Sequence, residues 1–282
     1  MADSSSGTLY LVATPIGNLS DISLRAIQIL QDVDFIAAED TRVTRKLLEH
    51  LKIKKALISY HKHNSRTGGE KVVARILAGE NCALVTDAGV PAISDPGEDL
   101  VCLCINESIP TVIVPGPCAA VSALALSGLP SGRFVFEGFL PADKKSRSMS
   151  LDKLITEERT MIFYEAPHKL IRTLTDMLDK FGDRHASISR EMTKIFEETL
   201  RLPLSEAITR FKHTPPRGEF VIVVEGISPA APDNDGKLNE AVDIAVNLIK
   251  TGTSASDAVK KAAVETGCSK NALYKSITNY LN

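Results

Sequence analysis

Two aspartates, Asp87 and Asp95, share one loop with two glycines and two prolines, Thr86-Asp-Ala-Gly-Val-Pro-Ala-Ile-Ser-Asp-Pro-Gly97. An apolar run, Cys82 to Val85, enters the loop and an amphipathic stretch, Glu98 to Asn106, leaves it. That pattern predicts a loop at the carboxyl end of a strand, where open α/β sheets bind ligands. Gly89 and Gly97 let backbone approach a ligand, while Pro91 and Pro96 stiffen the loop. Neither GxxxxGK[ST] nor GxGxxG accompanies it, so it is not a phosphate cradle. Its carboxylates suit a ligand with hydroxyls, an amine or a positive centre. Glu39, Asp40 and Arg42 cluster just past the strand predicted over Val33–Ala38 and reach the same sheet edge. Asp40 or Thr41 also suits the N-cap of a helix from Val43 to Leu51. The Arg42 guanidinium suits a phosphate or an oxyanion, which it can bind bidentately.

The composition narrows the classes. A chain of 282 residues, 44% hydrophobic and 24% charged, is globular and long enough for two domains. A net charge of −2 excludes a protein that coats nucleic acid with its whole surface; an RNA substrate has to meet local basic patches. The five cysteines, Cys82, Cys102, Cys104, Cys118 and Cys268, form no CxxC pair, which argues against zinc and against a disulfide framework. Four of them lie in or beside apolar runs and are expected to be buried thiols. No apolar run approaches the ~18 residues of a membrane span, and Met1 to Gly7 lacks the apolar core of a signal peptide. A cytoplasmic location is the expectation.

Strand-like runs alternate with helical periodicity from Leu9 onward. Strands at Leu9–Ala13, Val33–Ala38, Ala56–Ser59, Cys82–Val85 and Thr111–Val114, with helices between them, predict one α/β domain within residues 1–117. A polar loop, Tyr60 to Gly69, precedes a helix from Glu70 to Ala78. Residues 118–227 predict a second α/β domain, with strands at Phe134–Phe139, Thr160–Tyr164, Ala186–Ser189, Phe196–Arg201 and Glu219–Val224, whose order the pattern does not assign. Residues 228–236 read as a linker by composition. Residues 237–282 read as a helical region ending in a helix–turn–helix-like pair, Ser256–Glu265 and Lys270–Tyr280.

Seven segments then occur in one order: Leu11-Val-Ala-Thr-Pro-Ile-Gly-Asn-Leu19, Ala37-Ala-Glu-Asp-Thr-Arg42, Asp87-Ala-Gly-Val-Pro-Ala-Ile-Ser-Asp-Pro-Gly97, Pro115-Gly-Pro117, Phe163-Tyr-Glu-Ala-Pro-His168, Arg190-Glu-Met-Thr-Lys194 and Gly218-Glu-Phe-Val221. Each is weak alone, but the ordered set closely resembles the ribosomal RNA small subunit methyltransferase I branch of the tetrapyrrole methylase superfamily. The resemblance runs from Gly7 to Gly226 and extends to the helical tail. It implies two α/β domains with S-adenosylmethionine in a cleft between them, a homodimer, and methylation of a cytidine ribose 2′-oxygen in the decoding region of 16S rRNA or the small ribosomal subunit. No metal and no membrane enter that picture. Cys118 stands where the pattern has serine, Val90 where it has threonine, Ala166 where it has serine and Lys169 where it has arginine.

By that resemblance, Pro15, Ile16 and Gly17 border the cofactor. Asp87, Ala88 and Gly89 hold its methionine part, with Ser94 and Asp95 on the same loop. Pro115 and Gly116 wall the cleft, Tyr164 packs on adenine, and Glu219, Phe220 and Val221 offer backbone to the adenine edge. Glu39 and Glu191 are candidates for the base that takes the hydroxyl proton, with Asp40 and Arg42 beside the reacting oxygen. RNA contacts are expected from Arg42, Arg45, Lys46, Lys62, Arg66, Lys144, Lys145 and Arg147. Two alternatives stand beside this reading: a methyltransferase of the same fold acting on a tetrapyrrole, and a non-catalytic ribosome-assembly factor that reads RNA.

Overall fold

The structure is a computed structural model that describes residues 6–227, 234–268, 270, 273–274 and 276–277. Five short apolar runs form the first sheet: β1 (Leu9–Val12), β2 (Phe35–Ala38), β3 (Ala56–Ser59), β4 (Cys82–Val85) and β5 (Thr111–Val114), ordered β3-β2-β4-β1-β5. Every pairing is parallel. β2 and β4 are buried throughout, as strands covered on both faces must be. Helices α1 (Leu24–Asp32) and α2 (Thr41–His50) carry the chain toward β3 and pack on one face. Helices α3 (Ser65–Leu77) and α4 (Glu98–Asn106) carry it back and pack on the other. Right-handed crossovers demand this change of face when the direction reverses. Chains therefore diverge around the carboxyl end of β4, the kind of switch point where such sheets bind ligands.

The second sheet is mixed, ordered β6-β7-β10-β8-β9: β6 (Phe134–Phe139), β7 (Thr160–Glu165), β8 (His185–Arg190), β9 (Glu198–Pro203) and β10 (Phe220–Val224). Only β6–β7 is parallel. Helices α6 (Lys144–Asp152), α7 (Pro167–Phe181) and α8 (Leu204–His213) cover its outer face around Phe163, Leu174 and Ile222. Helix α5 (Ala119–Ser127) covers the inner face, where Ala120, Ala123, Val221 and Val223 meet Ile16 from the loop after β1. That cluster joins the two sheets. The chain divides into two compact units, the first ending at Gly226. The second contains α9 (Asn234–Lys250) and α10 (Ala255–Thr266), packed through Ala241, Ala245, Ala258 and Ala262.

Several expectations change. Asn234 to Gly236 belong to α9 and not to a linker, since Asn, Asp and Gly favour helix starts as much as turns. Residues 228–233 lie outside the described residues, as does most of the predicted Lys270–Tyr280 helix. Helix α3 begins at Ser65, five residues before the predicted start at Glu70. Cys82 and Cys104 are buried, but Cys102 is exposed on the outer side of α4. No helix among the described residues is long and apolar enough to cross a membrane.

Candidate active site

The carboxyl edge of the first sheet gathers acids. Asp87 follows β4, and its Oδ1 accepts the Asp40 backbone N–H at 3.2 Å. The Asp87 N–H points to Glu39 Oε2 at 3.5 Å. Asp40 caps α2 by accepting the Arg42 N–H at 2.8 Å, and the Arg42 guanidinium returns to the same carboxylate at 2.6 Å. Those bonds hold Asp40 down at about 2. Its neighbours go the other way. Burial first, then the Asp87 charge, raises Glu39. Burial also leads the upward shift of Asp87. Asp95 is pushed up to about 7 by burial, then by Glu39 and Asp87. Glu39, Asp87 and Asp95 thus form a like-charged group that a cation would relieve.

The loop carrying these acids is held in unusual backbone. Ala92 and Ser94 have φ of 68° and 63°, in the left-handed region that costs non-glycine residues about 1–3 kcal/mol each. Glycines permit the contacts around it. Gly89 forms an antiparallel bridge with Thr14 at the end of β1. A Cβ on Gly138, in the bulge of β6, would sit 3.0 Å from Ser94 Oγ. A Cβ on Gly17 would fall 2.5 Å from Lys194 Cγ. Loops from both sheets therefore close on the acidic group.

The second sheet's contribution is more structural than the motifs suggest. Tyr164 lies between Phe136 and Phe139, with ring centroids 5.1 and 5.5 Å away. Its hydroxyl accepts the Ala120 N–H at 3.2 Å, and burial pushes it up to about 12. Glu191, the other candidate base, is tied down: Lys194 Nζ at 3.0 Å and the Glu219 N–H at 3.1 Å hold its Oε1. The Lys194 bond leads its downward pKa shift. The backbone of Glu219–Val221 is already engaged within the fold. β10 is paired on both sides, and the Glu219 carbonyl already accepts the Glu191 N–H. The Phe220 side chain turns to the outer core and meets Phe211 edge-on at 5.6 Å.

A sequence profile described as Tetrapyrrole (Corrin/Porphyrin) Methylases matches residues 8–208. The ribosomal RNA small subunit methyltransferase I of Halalkalibacterium halodurans is 46% identical over 270 residues, 95% of this chain and 93% of its own length. The protein of the same name from Escherichia coli O157:H7 is 44% identical over 277 residues, 97% of this chain and 96% of its own. The chain belongs to the tetrapyrrole methylase family, in its ribosomal RNA small subunit methyltransferase I branch. Among solved structures, a cobalt precorrin-4 methyltransferase superposes with a TM-score of 0.58 at 16% identity, covering 77% of this chain and 94% of that one. Diphthine synthase gives 0.59 at 12%, covering 78% and 90%. At such identities the likeness is of fold alone.

For a tetrapyrrole methylase of this branch, the donor set fits S-adenosylmethionine. A sulfonium and an amino group would bring two positive centres to Glu39, Asp87 and Asp95, beside which the exposed Arg42 already spends its charge on Asp40. Pro15, Ile16 and Gly17 follow β1, Ala88 and Gly89 follow β4, and Pro115 and Gly116 follow β5, where a Cβ on Gly116 would press on Ala13 Cβ at 3.0 Å. The proposed RNA contacts divide. Arg45, Lys46, Lys62, Arg66, Lys144 and Lys145 are exposed, and Arg42 is 84% exposed despite its pairing. Arg147 is corrected. It is 2% exposed, pairs with Asp176 at 2.6 Å and donates to the Ala142 carbonyl at 2.9 Å, so it anchors α6 to α7. Thr44, buried on α2, was missed by sequence reasoning; a lone helical threonine gives no signal of its own.

Proposed function

We propose that this protein transfers the methyl group of S-adenosylmethionine to the ribose 2′-hydroxyl of a cytidine in small-subunit ribosomal RNA. The observation that carries the reading is the group of Glu39, Asp87 and Asp95, each raised by burial first and then by a neighbouring carboxylate, at the sheet's switch point. The cofactor, when bound, supplies an electrophilic methyl on a positively charged sulfur. Asp87 would accept from the amino group, and Asp95 would balance the positive charge. Glu39, with its raised affinity for a proton, would take the hydroxyl proton as the new oxygen–carbon bond forms and the methyl's bond to sulfur breaks, which would leave the cofactor as a neutral thioether. A tied, low-pKa Glu191 is a weaker base for that task. Positioning of the two reactants is worth up to ~7–11 kcal/mol and is the larger contribution.

The test incubates the protein with methyl-labelled S-adenosylmethionine and under-modified small subunits, then maps the label. Label on a cytidine ribose supports the proposal. Label on a tetrapyrrole offered in parallel, with none on RNA, supports the tetrapyrrole alternative; cofactor binding without transfer supports the assembly factor. Asp87→Ala is expected to weaken cofactor binding about 10- to 100-fold by calorimetry, the scale of a hydrogen bond to a charged group. Normal affinity in that variant would remove Asp87 from the site.

A further inference from the structure

Beside the acidic group lies a cavity of about 200 Å³ between α2 and the loops after β1 and β4. Leu19, Val43 and Leu47 give it apolar walls, Asp87 closes one end, and exposed Lys46 stands at its edge. No residue of the second sheet lines it, and it shares Pro15 and Asp87 as walls with the proposed cofactor space. It is smaller than the roughly 300–1,000 Å³ of pockets that hold whole drug-sized ligands, and suits one planar ring. Two observations say that it expects an occupant. Leu19 and Val43 are large apolar side chains left 43% and 40% exposed at its walls. Thr44, 3% exposed and lining the cavity, has a hydroxyl with no hydrogen-bond partner. A helical threonine ordinarily bonds back to the preceding turn; here the Asp40 carbonyl accepts the Thr44 N–H alone, at 3.0 Å.

We infer that this cavity seats the base of the target nucleotide, unstacked from its RNA strand. The inference rests on the RNA-methylation reading above. A pyrimidine ring here lies against Leu19, Val43 and Leu47, with its polar edge on the Thr44 hydroxyl, which can donate or accept. Enzymes that act on one nucleotide within a strand commonly read it this way, by apolar contact and edge hydrogen bonds in a close-fitting pocket. The attached ribose then leaves the cavity at Asp87, beside Glu39. Arg42, Arg45 and Lys46 share one face of α2 at i, i+3 and i+4 spacing. They border the Val43–Leu47 side and meet the flanking phosphates.

The experiment uses Thr44→Val, which removes the hydroxyl at nearly constant shape, and Val43→Trp, which blocks the mouth. Methyl transfer to under-modified small subunits, cofactor affinity, and binding of an RNA fragment with or without the target base are measured for each. Expected are an about fivefold rise in KM for Thr44→Val and at least about tenfold for Val43→Trp, with cofactor affinity unchanged. Deleting the target base is expected to weaken wild-type binding at least about tenfold and Val43→Trp hardly at all. If the wild type transfers methyl but both variants keep its KM, the cavity assignment alone is overturned. A loss of cofactor affinity in Thr44→Val would make the cavity a cofactor subsite instead. No transfer by the wild type overturns the methylation reading, and the base pocket falls with it.

Discussion

Asp95 sits beside two other carboxylates under partial burial, and its proton is the site's most sensitive indicator of charge. In the folded chain it titrates near 7, against an ordinary 3.8. The folded state therefore binds more protons than the unfolded one between about pH 4 and 7, and Asp95 lowers stability as pH rises through that window. A bound cation favours the ionised carboxylate, so below about pH 7 cofactor binding is expected to release a proton, and affinity to tighten as pH rises toward 7 and level off above it. Calorimetry in buffers of different ionisation enthalpy measures that release directly. Asp95→Asn is expected to abolish most of it and flatten the pH profile of affinity. An unchanged profile in Asp95→Asn would place the titrating group elsewhere. Asp87 and Asp95 were legible in the sequence because acids, glycines and prolines crowd one loop after an apolar run. The surroundings of Glu191 and Arg147 were not legible, because residue type says nothing about partners. Each spends its charge on a local ion pair, with Lys194 and Asp176, that only the fold creates.

Three helices of the second sheet, α5, α7 and α8, begin without a side-chain cap, and the starts of α5 and α7 coincide with departures from the family pattern. Cys118 is the N-cap of α5 and Ala166 the N-cap of α7, in extended backbone that suits capping, yet neither side chain caps. Serine at an N-cap accepts an N–H of the first turn and is typically worth ~1 kcal/mol over alanine. Ala166→Ser is expected to stabilise the protein by about 1 kcal/mol in urea unfolding. Cys118→Ser is expected to give clearly less, because Tyr164 Oη already accepts the Ala120 N–H. Adding Tyr164→Phe is expected to restore much of the serine's benefit, and a purely additive double-mutant cycle would contradict the shared donor. Most elements were legible from periodicity, but their ends were not. Helix α3 was expected to start after Gly68-Gly69, since glycine breaks helices. The pair lies inside it because a Cβ on Gly69 would meet Leu103 Cδ1 at 2.9 Å, a tertiary cause that no local pattern carries.

At the scale of the molecule, the parallel first sheet was readable because strand–helix alternation dictates it. The second sheet's order was not, because β10 inserts between β7 and β8, pairing antiparallel with each across long separations, and the strand sequences carry no direction. That order is what brings β6 past Ser94 and turns it into α6, so the first turn of α6 emerges on the side of the acidic site. Lys144 and Lys145 occupy that turn and are exposed. Cations there oppose the helix dipole, which favours acids at an N-terminus, so helix stability does not explain them. Under the proposed function, RNA phosphates are the partners they would meet. Reversing both charges suits the dipole better, so Lys144→Glu with Lys145→Glu is expected to leave unfolding unchanged or slightly harder. The same pair is expected to weaken RNA binding and to reduce the slope of log affinity against log salt by about 1.4, at roughly 0.7 per single-strand phosphate contact. Arg147→Ala separates the explanations. It strands part-buried Asp176 and is expected to cost about 3 kcal/mol of stability, while the salt slope stays as in the wild type. A wild-type slope in the double lysine variant would take α6 out of the RNA interface and leave the cations of α2 to hold the strand.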